Sequence, residues 1–260
     1  MILYFSGTGN SRWVAEMLAV RTGDEMYAMA DVVAGTLQLR LLTEEESLGF
    51  VFPVYGWMPP AMVRKTIEAL SDAHAPKYLY FVCTCGDDAG KATRVFARWL
   101  VEKGWHCDAG FSVVMPNTYV CLPGFNVDAE DVEHQKLVAA MSRMEVVASV
   151  VTDKGRVVDC HEGAFPWLKT YVLGWFFGHF LMSPRLFLAT SDCVACGKCE
   201  MVCPLHNIRM KDGRPKWGND CAMCLSCYHH CPRHAVAYGK RTRGKGQYVF
   251  PPTVWKVGKE

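Results

Sequence analysis

The chain has 260 residues, half of them hydrophobic, with 13 cysteines and a net charge of +2. That is enough apolar material for two small domains or one large one, and with so small a net charge nucleic acid is the weakest partner class. The charge is nonetheless uneven: residues 1–150 carry −6, residues 151–189 carry +1 and residues 190–260 carry +7, an asymmetry that bears on partners. Met1-Ile2-Leu3-Tyr4-Phe5 has neither the basic start nor the small-residue cleavage site of a secretory leader, so a reducing cytoplasm is expected.

The apolar run Ile2–Phe5 predicts a buried strand. It is followed by Ser6-Gly7-Thr8-Gly9-Asn10-Ser11 and then by Trp13, Val14, Met17 and Leu18 at helical spacing, with Gly23 as a stop. Strand, hydroxyl-rich glycine loop and helix make a cradle for phosphate, because backbone N–H groups and a helix N-terminus favour an anion. No lysine completes a Walker A loop, and Arg12 stands where a dinucleotide fingerprint needs its third glycine. The plain alternative is a Ser/Asn-capped helix after a turn.

Further strands are expected over Met26–Ala30, Ser47–Phe52 and Lys77–Thr84 and near Phe111–Met115. Helices are expected over Ala61–Leu70, near Lys91–Lys103 and over Asp128–Val151, where Val132, Leu137, Met141, Met144 and Val147 recur at helical spacing. Pro59 and Pro60 suit a helix start. Strands alternating with helices argue for a parallel sheet covered on both faces. Such sheets bind ligands beyond the carboxyl ends of their strands. Three loops fall there: Ser6–Ser11, Pro53–Pro60 and Cys85–Gly90.

Ser6, Thr8, Gly9 and Ser11 resemble the FMN-phosphate loop of flavodoxins, and residues 1–155 as a whole resemble that family. The resemblance implies a doubly wound sheet of five parallel strands in the order 2-1-3-4-5. It implies FMN, with Ser6, Gly7, Thr8, Gly9, Asn10 and Ser11 at the phosphate and Tyr55 and Trp57 flanking the ring. Gly56 would turn its peptide toward flavin N5, and Thr84, Cys85, Gly86 and Asp87 would meet the pyrimidine edge. One departure stands out. The loop Cys85–Gly90 has no aromatic residue to cover the ring, so either Tyr119 supplies it or one face is open.

Residues 156–189 read as a linker. Phe165–Ala189 holds eight aromatic residues of the Phe, Trp and Tyr types, but Lys169 and Arg185 bracket an uncharged part shorter than the ~20 residues a spanning helix needs. A helix packed between two domains is the favoured reading; association with a membrane surface is the lesser one.

Residues 190–239 contain the sharpest signal. Cys193, Cys196, Cys199 and Cys203 precede Pro204, and Cys221, Cys224, Cys227 and Cys231 precede Pro232, an offset of 28. Each run reads Cys-x2-Cys-x2-Cys-x3-Cys-Pro, a known pattern of bacterial iron–sulfur ligation. Iron in a sulfide cubane wants soft thiolates; zinc sites instead show two separated Cys-x2-Cys pairs. The stretch resembles the bacterial two-cluster ferredoxins, which implies two 4Fe–4S clusters. One would take Cys193, Cys196, Cys199 and Cys231, the other Cys221, Cys224, Cys227 and Cys203. Cys83, Cys85, Cys107, Cys121 and Cys160 are left as small hydrophobes. His206, His229, His230 and His234 read as neighbours of the clusters or as surface groups.

Residues 240–260 form a basic extension, and Lys240-Arg241-Thr242-Arg243-Gly244-Lys245 reads as a solvated tail. Together the parts resemble flavodoxin–ferredoxin fusion proteins. The resemblance implies an electron carrier linking FMN, two 4Fe–4S clusters and a redox partner protein; the basic end suits a partner of acidic character, its own acidic half or anionic lipid. The alternative is an FMN-dependent reductase of a small molecule fed by the clusters. No acid–base or nucleophilic constellation and no nucleic-acid-reading motif is present in the sequence, and the oligomeric state is left open.

Overall fold

The structure is a computed structural model that describes residues 1–36, 47–70, 75–178 and 183–251. Strands β1 (Ile2–Tyr4), β2 (Met26–Ala28), β3 (Ser47–Pro53), β4 (Tyr78–Cys85), β5 (Ala109–Val114) and β6 (Val158–Asp159) form one sheet in the order β2-β1-β3-β4-β5-β6. Every neighbouring pair is parallel. The expected order 2-1-3-4-5 is present, and β6 corrects the expected strand count. It pairs Val158 and Asp159 with Gly110 and Phe111, so the sheet continues beyond residue 155 into the expected linker. Two residues are too few to show a strand periodicity. The second strand also stops at Ala28, because Met29 opens a helix.

β4 lies in the middle and all eight of its residues are buried, as a strand covered on both faces requires. Its rings set the register with both neighbours. Tyr80 pairs with Gly49 and Phe81 with Gly110, and each ring fills the space that a Cβ on that glycine would take.

Helices α1 (Asn10–Thr22) and α5 (Glu130–Thr152) cover one face, with Trp13, Val14, Leu18, Leu137, Met144 and Val147 in the core. Helices α2 (Met29–Val33), α3 (Ala61–Ala69) and α4 (Ala92–Glu102) cover the other through Met29, Val63, Ile67, Phe96 and Leu100. Each such buried side chain contributes roughly 1.5–3 kcal/mol. Val132 and Met141, expected on the inner stripe of α5, are exposed. Ala140 holds the inward position beside Met141, and Val132 lies in the first turn, ahead of the buried stripe that begins at Leu137.

The C-terminal part has an antiparallel pair, β7 (Phe187–Ala189) with β10 (Val236–Tyr238), and a hairpin, β8 (Ile208–Lys211) with β9 (Arg214–Trp217). Asp212 and Gly213 turn the hairpin with φ of 51° and 70°, the signature of a type I′ turn. Short helices α6 (Lys198–Met201) and α7 (Ser226–His229) follow the two cysteine loops. The duplication is written into the backbone. Ala195, Gly197 and His206 are left-handed, and so are Met223, Leu225 and His234, each 28 residues on.

Two expectations need correction. The aromatic segment does form a helix, a π-helix over Leu168–Gly174, but only a narrow stripe of it packs on the rest of the chain. Thr170 and Gly174 are buried, while Phe165 is 77% exposed and Trp167 is 63% exposed. Nor is the basic run a solvated tail. Thr242 is buried, Lys245 donates to the carbonyls of Val120 and Leu122, and the chain beyond it returns to the sheet domain. Its lysines and arginines hid that anchoring. No helix among the described residues is long and apolar enough to cross a membrane.

Candidate functional site

The carboxyl ends of β1, β3, β4 and β5 open into a cavity of about 370 Å³, within the range of small-ligand sites. Ser6, Gly7, Thr8, Asn10, Ser11, Tyr55, Gly56, Trp57, Thr84, Cys85, Gly86 and Asp87 all line it. Gly9 does not line it. Gly9 is left-handed at φ 107°, and a Cβ there would meet Phe250 at 2.7 Å.

In the first loop, Gly9 N–H donates to Ser6 Oγ at 3.2 Å. Asn10 and Ser11 hold the scaffold together. Asn10 Nδ2 donates to the carbonyl of Pro116 at 3.1 Å, Asn10 Oδ1 accepts from the Tyr248 hydroxyl at 2.7 Å, and the Ser11 and Thr84 hydroxyls pair at 2.8 Å. What the loop offers an anion is therefore the N–H groups of the first turn of α1, which have no partner within a helix, together with the hydroxyls of Ser6 and Thr8.

The second loop is a tight turn. Tyr55 N–H donates to the Met58 carbonyl at 2.9 Å and Met58 N–H returns the bond at 3.1 Å. Gly56 and Trp57 between them are both left-handed, at φ 55° and 59°; the tryptophan holds this conformation at a cost. The π-helix presses on this turn. Thr170 Oγ1 donates to the Trp57 carbonyl at 3.3 Å, a Cβ on Gly174 would meet the Gly56 carbonyl at 2.5 Å, and Phe177 lies against Gly56. The Lys169 ammonium lies 5.8 Å from the Trp57 ring centroid and pairs with Asp88.

In the third loop, a Cβ on Gly86 would fall on the Asn117 side chain. Asn117 is fixed in turn: its backbone N–H and Nδ2 donate to the Asp128 carboxylate at 2.9 and 3.1 Å. Burial opposes the charge on Asp128, but hydrogen bonds from Lys136 and Asn117 outweigh it and hold the carboxyl below its usual range. Glu162 pairs with Lys91. Tyr119 also lines the cavity, with its ring 5.2 Å from Phe177 and 5.6 Å from Phe125. Tyr119 and Phe177 both present rings to the cavity. Sequence reasoning did not reach Phe177, since it lies in a segment with no motif.

The cysteines gather in two crossed sets. Cys193, Cys196, Cys199 and Cys231 line one small cavity; Cys203, Cys221, Cys224 and Cys227 line another. Among the described residues no three His, Cys, Asp or Glu side chains converge on a single-ion site. Asn207 N–H donates to Cys203 Sγ at 3.3 Å and Ala235 N–H to Cys231 Sγ at 3.2 Å, the same contact in each half of the duplication. Burial pushes the Cys224 thiol up to about 12, so ligation must release its proton. Of the five remaining cysteines, Cys83, Cys85 and Cys121 are buried and Cys107 and Cys160 half-buried.

The two domains meet at the cavity. Met223, Cys224 and Leu225 form part of its wall. A Cβ on Gly7 would stand 2.6 Å from the Cys224 carbonyl oxygen, so only a glycine lets the cysteine loop come this close. Buried His229 bridges the domains: Nε2 lies 2.7 Å from the Thr118 carbonyl and Nδ1 accepts from Tyr248 N–H at 3.1 Å. Its neighbours assign Nε2 as the protonated nitrogen, and burial lowers its pKa to about 4. The chain from Gly246 onward is a strap. Gly246 N–H donates to Asn126 Oδ1 at 3.0 Å, Phe250 N–H to the Thr8 carbonyl at 2.8 Å, and the Phe250 ring stacks on Trp13 at 5.3 Å.

Residues 192–236 match the sequence-family model for the 4Fe-4S dicluster domain. No curated protein matches the chain. Among solved structures, the Trp repressor binding protein of Bacillus subtilis is 20% identical, with 55% of this chain and 97% of that one covered at a TM-score of 0.34. An azoreductase of Bacillus anthracis is 10% identical (58% and 98% covered, TM-score 0.36), and the NAD(P)H:quinone oxidoreductase of Methanothermobacter marburgensis is 12% identical (58% and 94% covered, TM-score 0.34). The fold assignment rests on the strand order itself, which is that of flavodoxins. The chain joins a flavodoxin-like α/β domain to an iron–sulfur domain of the 4Fe–4S dicluster type.

Proposed function

We propose that the chain carries electrons between an FMN held at the carboxyl ends of the sheet and two 4Fe–4S clusters, and between these and a separate redox protein. The observation that carries this reading is the wall of the cavity, where Cys224, a cluster-pattern cysteine, stands among the flavin-loop residues. The residues present fit both groups. The first loop offers a helix N-terminus and hydroxyls to a phosphate, Tyr55, Trp57, Tyr119 and Phe177 offer rings to a flavin, and the crossed cysteine sets offer four thiolates each.

Bound there, FMN would supply exchange of one or two electrons, and each cubane exchange of one. The chain's own part is to place, bury and separate these centres. Gly7 sets how closely the Cys224 loop approaches the flavin loop. Tyr55 keeps its proton, because burial raises its pKa well above the ordinary value. The set of Cys203, Cys221, Cys224 and Cys227 adjoins the flavin cavity. The other set includes exposed Cys196, and electrons would enter or leave there. Arg233 and Lys198 line that second set's cavity, which suits a partner of acidic character.

The test is an anaerobic reductive titration of the purified protein by absorbance and EPR, with iron and flavin quantified on the same sample. About eight irons and one FMN per chain, both reversibly reducible, are expected. Iron without flavin, or clusters that cannot be reduced and reoxidised, would refute the proposal. The reductase alternative predicts turnover of a small-molecule acceptor that disappears when flavin is removed.

A further inference from the structure

The π-helix presents an anomaly. A helix that is apolar all round is normally buried, in a core or in lipid. Here Thr170 and Gly174, one turn apart, face the protein. The rest of the surface is apolar and exposed: Phe165, Trp167, Leu168, Val172, Leu173 and Trp175 are each between 43% and 77% exposed. From Trp167 to Trp175 the face runs roughly 12 Å at the usual helical rise, far short of a membrane's thickness.

Charge says what covers it. From Gly163 to Ser191 there is no Asp or Glu, and the formal cations are Lys169, which pairs with Asp88, and Arg185, which is exposed. The β7–β10 pairing, with Gly239 N–H donating to the Leu186 carbonyl at 2.9 Å, brings exposed Lys240, Arg241 and Arg243 beside Arg185. Tyr119 lies against the end of the aromatic segment, its ring packing on Phe177, and Arg241 lies over the Tyr238 ring of β10. An aromatic face of Trp, Phe and Tyr bordered by Lys and Arg matches the membrane–water boundary. A second copy seated on this face through a two-fold contact would bring the same cations up against these.

We propose that the face Phe165–Trp175, with the cations of Arg185 and Lys240–Arg243, seats the protein on the surface of an anionic phospholipid bilayer. The helix lies in the plane of the headgroups and the iron–sulfur domain stays outside. The test uses the full chain with its clusters in place, sedimented with vesicles of phosphatidylcholine alone or with one-third phosphatidylglycerol, beside light scattering without lipid. Sedimentation is expected with the anionic vesicles. Trp167→Glu with Val172→Glu should abolish it, while Lys240→Ala with Arg243→Ala should weaken it by about fivefold per cation. Unchanged cluster absorbance and unfolding midpoint identify the variants as folded. The proposal is overturned by absence of sedimentation with either vesicle, by equal binding to both, or by a lipid-free dimer that the glutamate variant dissociates. Full binding by the alanine variant overturns it too, even if the glutamate variant fails to fold.

Discussion

Gly7 shows how one residue can answer to two parts of a chain. The sequence places it in a phosphate loop, where small size and free N–H groups suffice as a reason. The structure adds a second reason: any side chain there would strike the backbone of Cys224 at 2.6 Å. Gly7→Ala should leave flavin and iron contents near the parent's, because its φ lies outside the left-handed region, and should push the cysteine loop outward. Slower equilibration between flavin and clusters after rapid mixing is expected; an unchanged rate would show that this contact does not set the spacing. The loop itself was legible because its pattern is local. The contact was not, because the two residues lie at opposite ends of the sequence, and no spacing encodes a meeting between domains. Asn10 and Ser11 carry the same lesson. Their residue types suit a phosphate, yet their side chains are engaged by Pro116, Tyr248 and Thr84.

Among the elements, the strap beyond Lys245 has the clearest consequence. It ties α1, the Ser6–Ser11 loop, the segment holding Asn126 and α7 together through Gly246, Gln247, Tyr248 and Phe250. Tyr248→Phe removes one buried hydrogen bond to Asn10 and should cost about 1 kcal/mol. Phe250→Ala, which also loses the stack on Trp13, should cost about 1–3 kcal/mol more. Urea unfolding of the holo-protein measures both; if neither moves the midpoint, the strap is not holding the domains. Nothing in the sequence marked this element, since its few apolar residues follow a strongly basic run. The duplicated cysteine loops were legible for the opposite reason: ligation fixes both residue type and spacing, and the left-handed residues repeat at 28 as the cysteines do. Asp212-Gly213 is a turn signal that the cysteine pattern overshadowed. The exposed π-helix was legible in composition but not in burial, because an apolar segment reads alike whether protein or lipid covers it.

At the scale of the whole molecule, the acidic sheet domain and the basic iron–sulfur domain partition the charge. The positive end surrounds the cysteine set farther from the sheet-end cavity, with exposed Arg209, Lys211, Arg214, Lys216 and Arg233 against Asp192, Asp212 and the Glu200 that pairs with Arg209. Electron exchange with an acidic redox protein should therefore slow as salt rises from about 0.05 to 0.5 M, as screening shortens to a few ångströms. Arg233→Glu should slow it roughly tenfold at low salt and leave the internal flavin–cluster exchange alone. A rate indifferent to both changes would remove the electrostatic dock from the account.

The strap also sets a timetable. A ribosome delivers Ser6–Ser11 well before Tyr248–Phe250, and domains generally fold as units in that order. Early in translation the Ser6–Ser11 loop stands without its clasp, and the wall made by Met223–Leu225 does not yet exist. The pocket can be finished only once the cysteine loops have emerged. A chain interrupted before the cysteine loops would therefore present a sheet domain that lacks both this wall and the clasp.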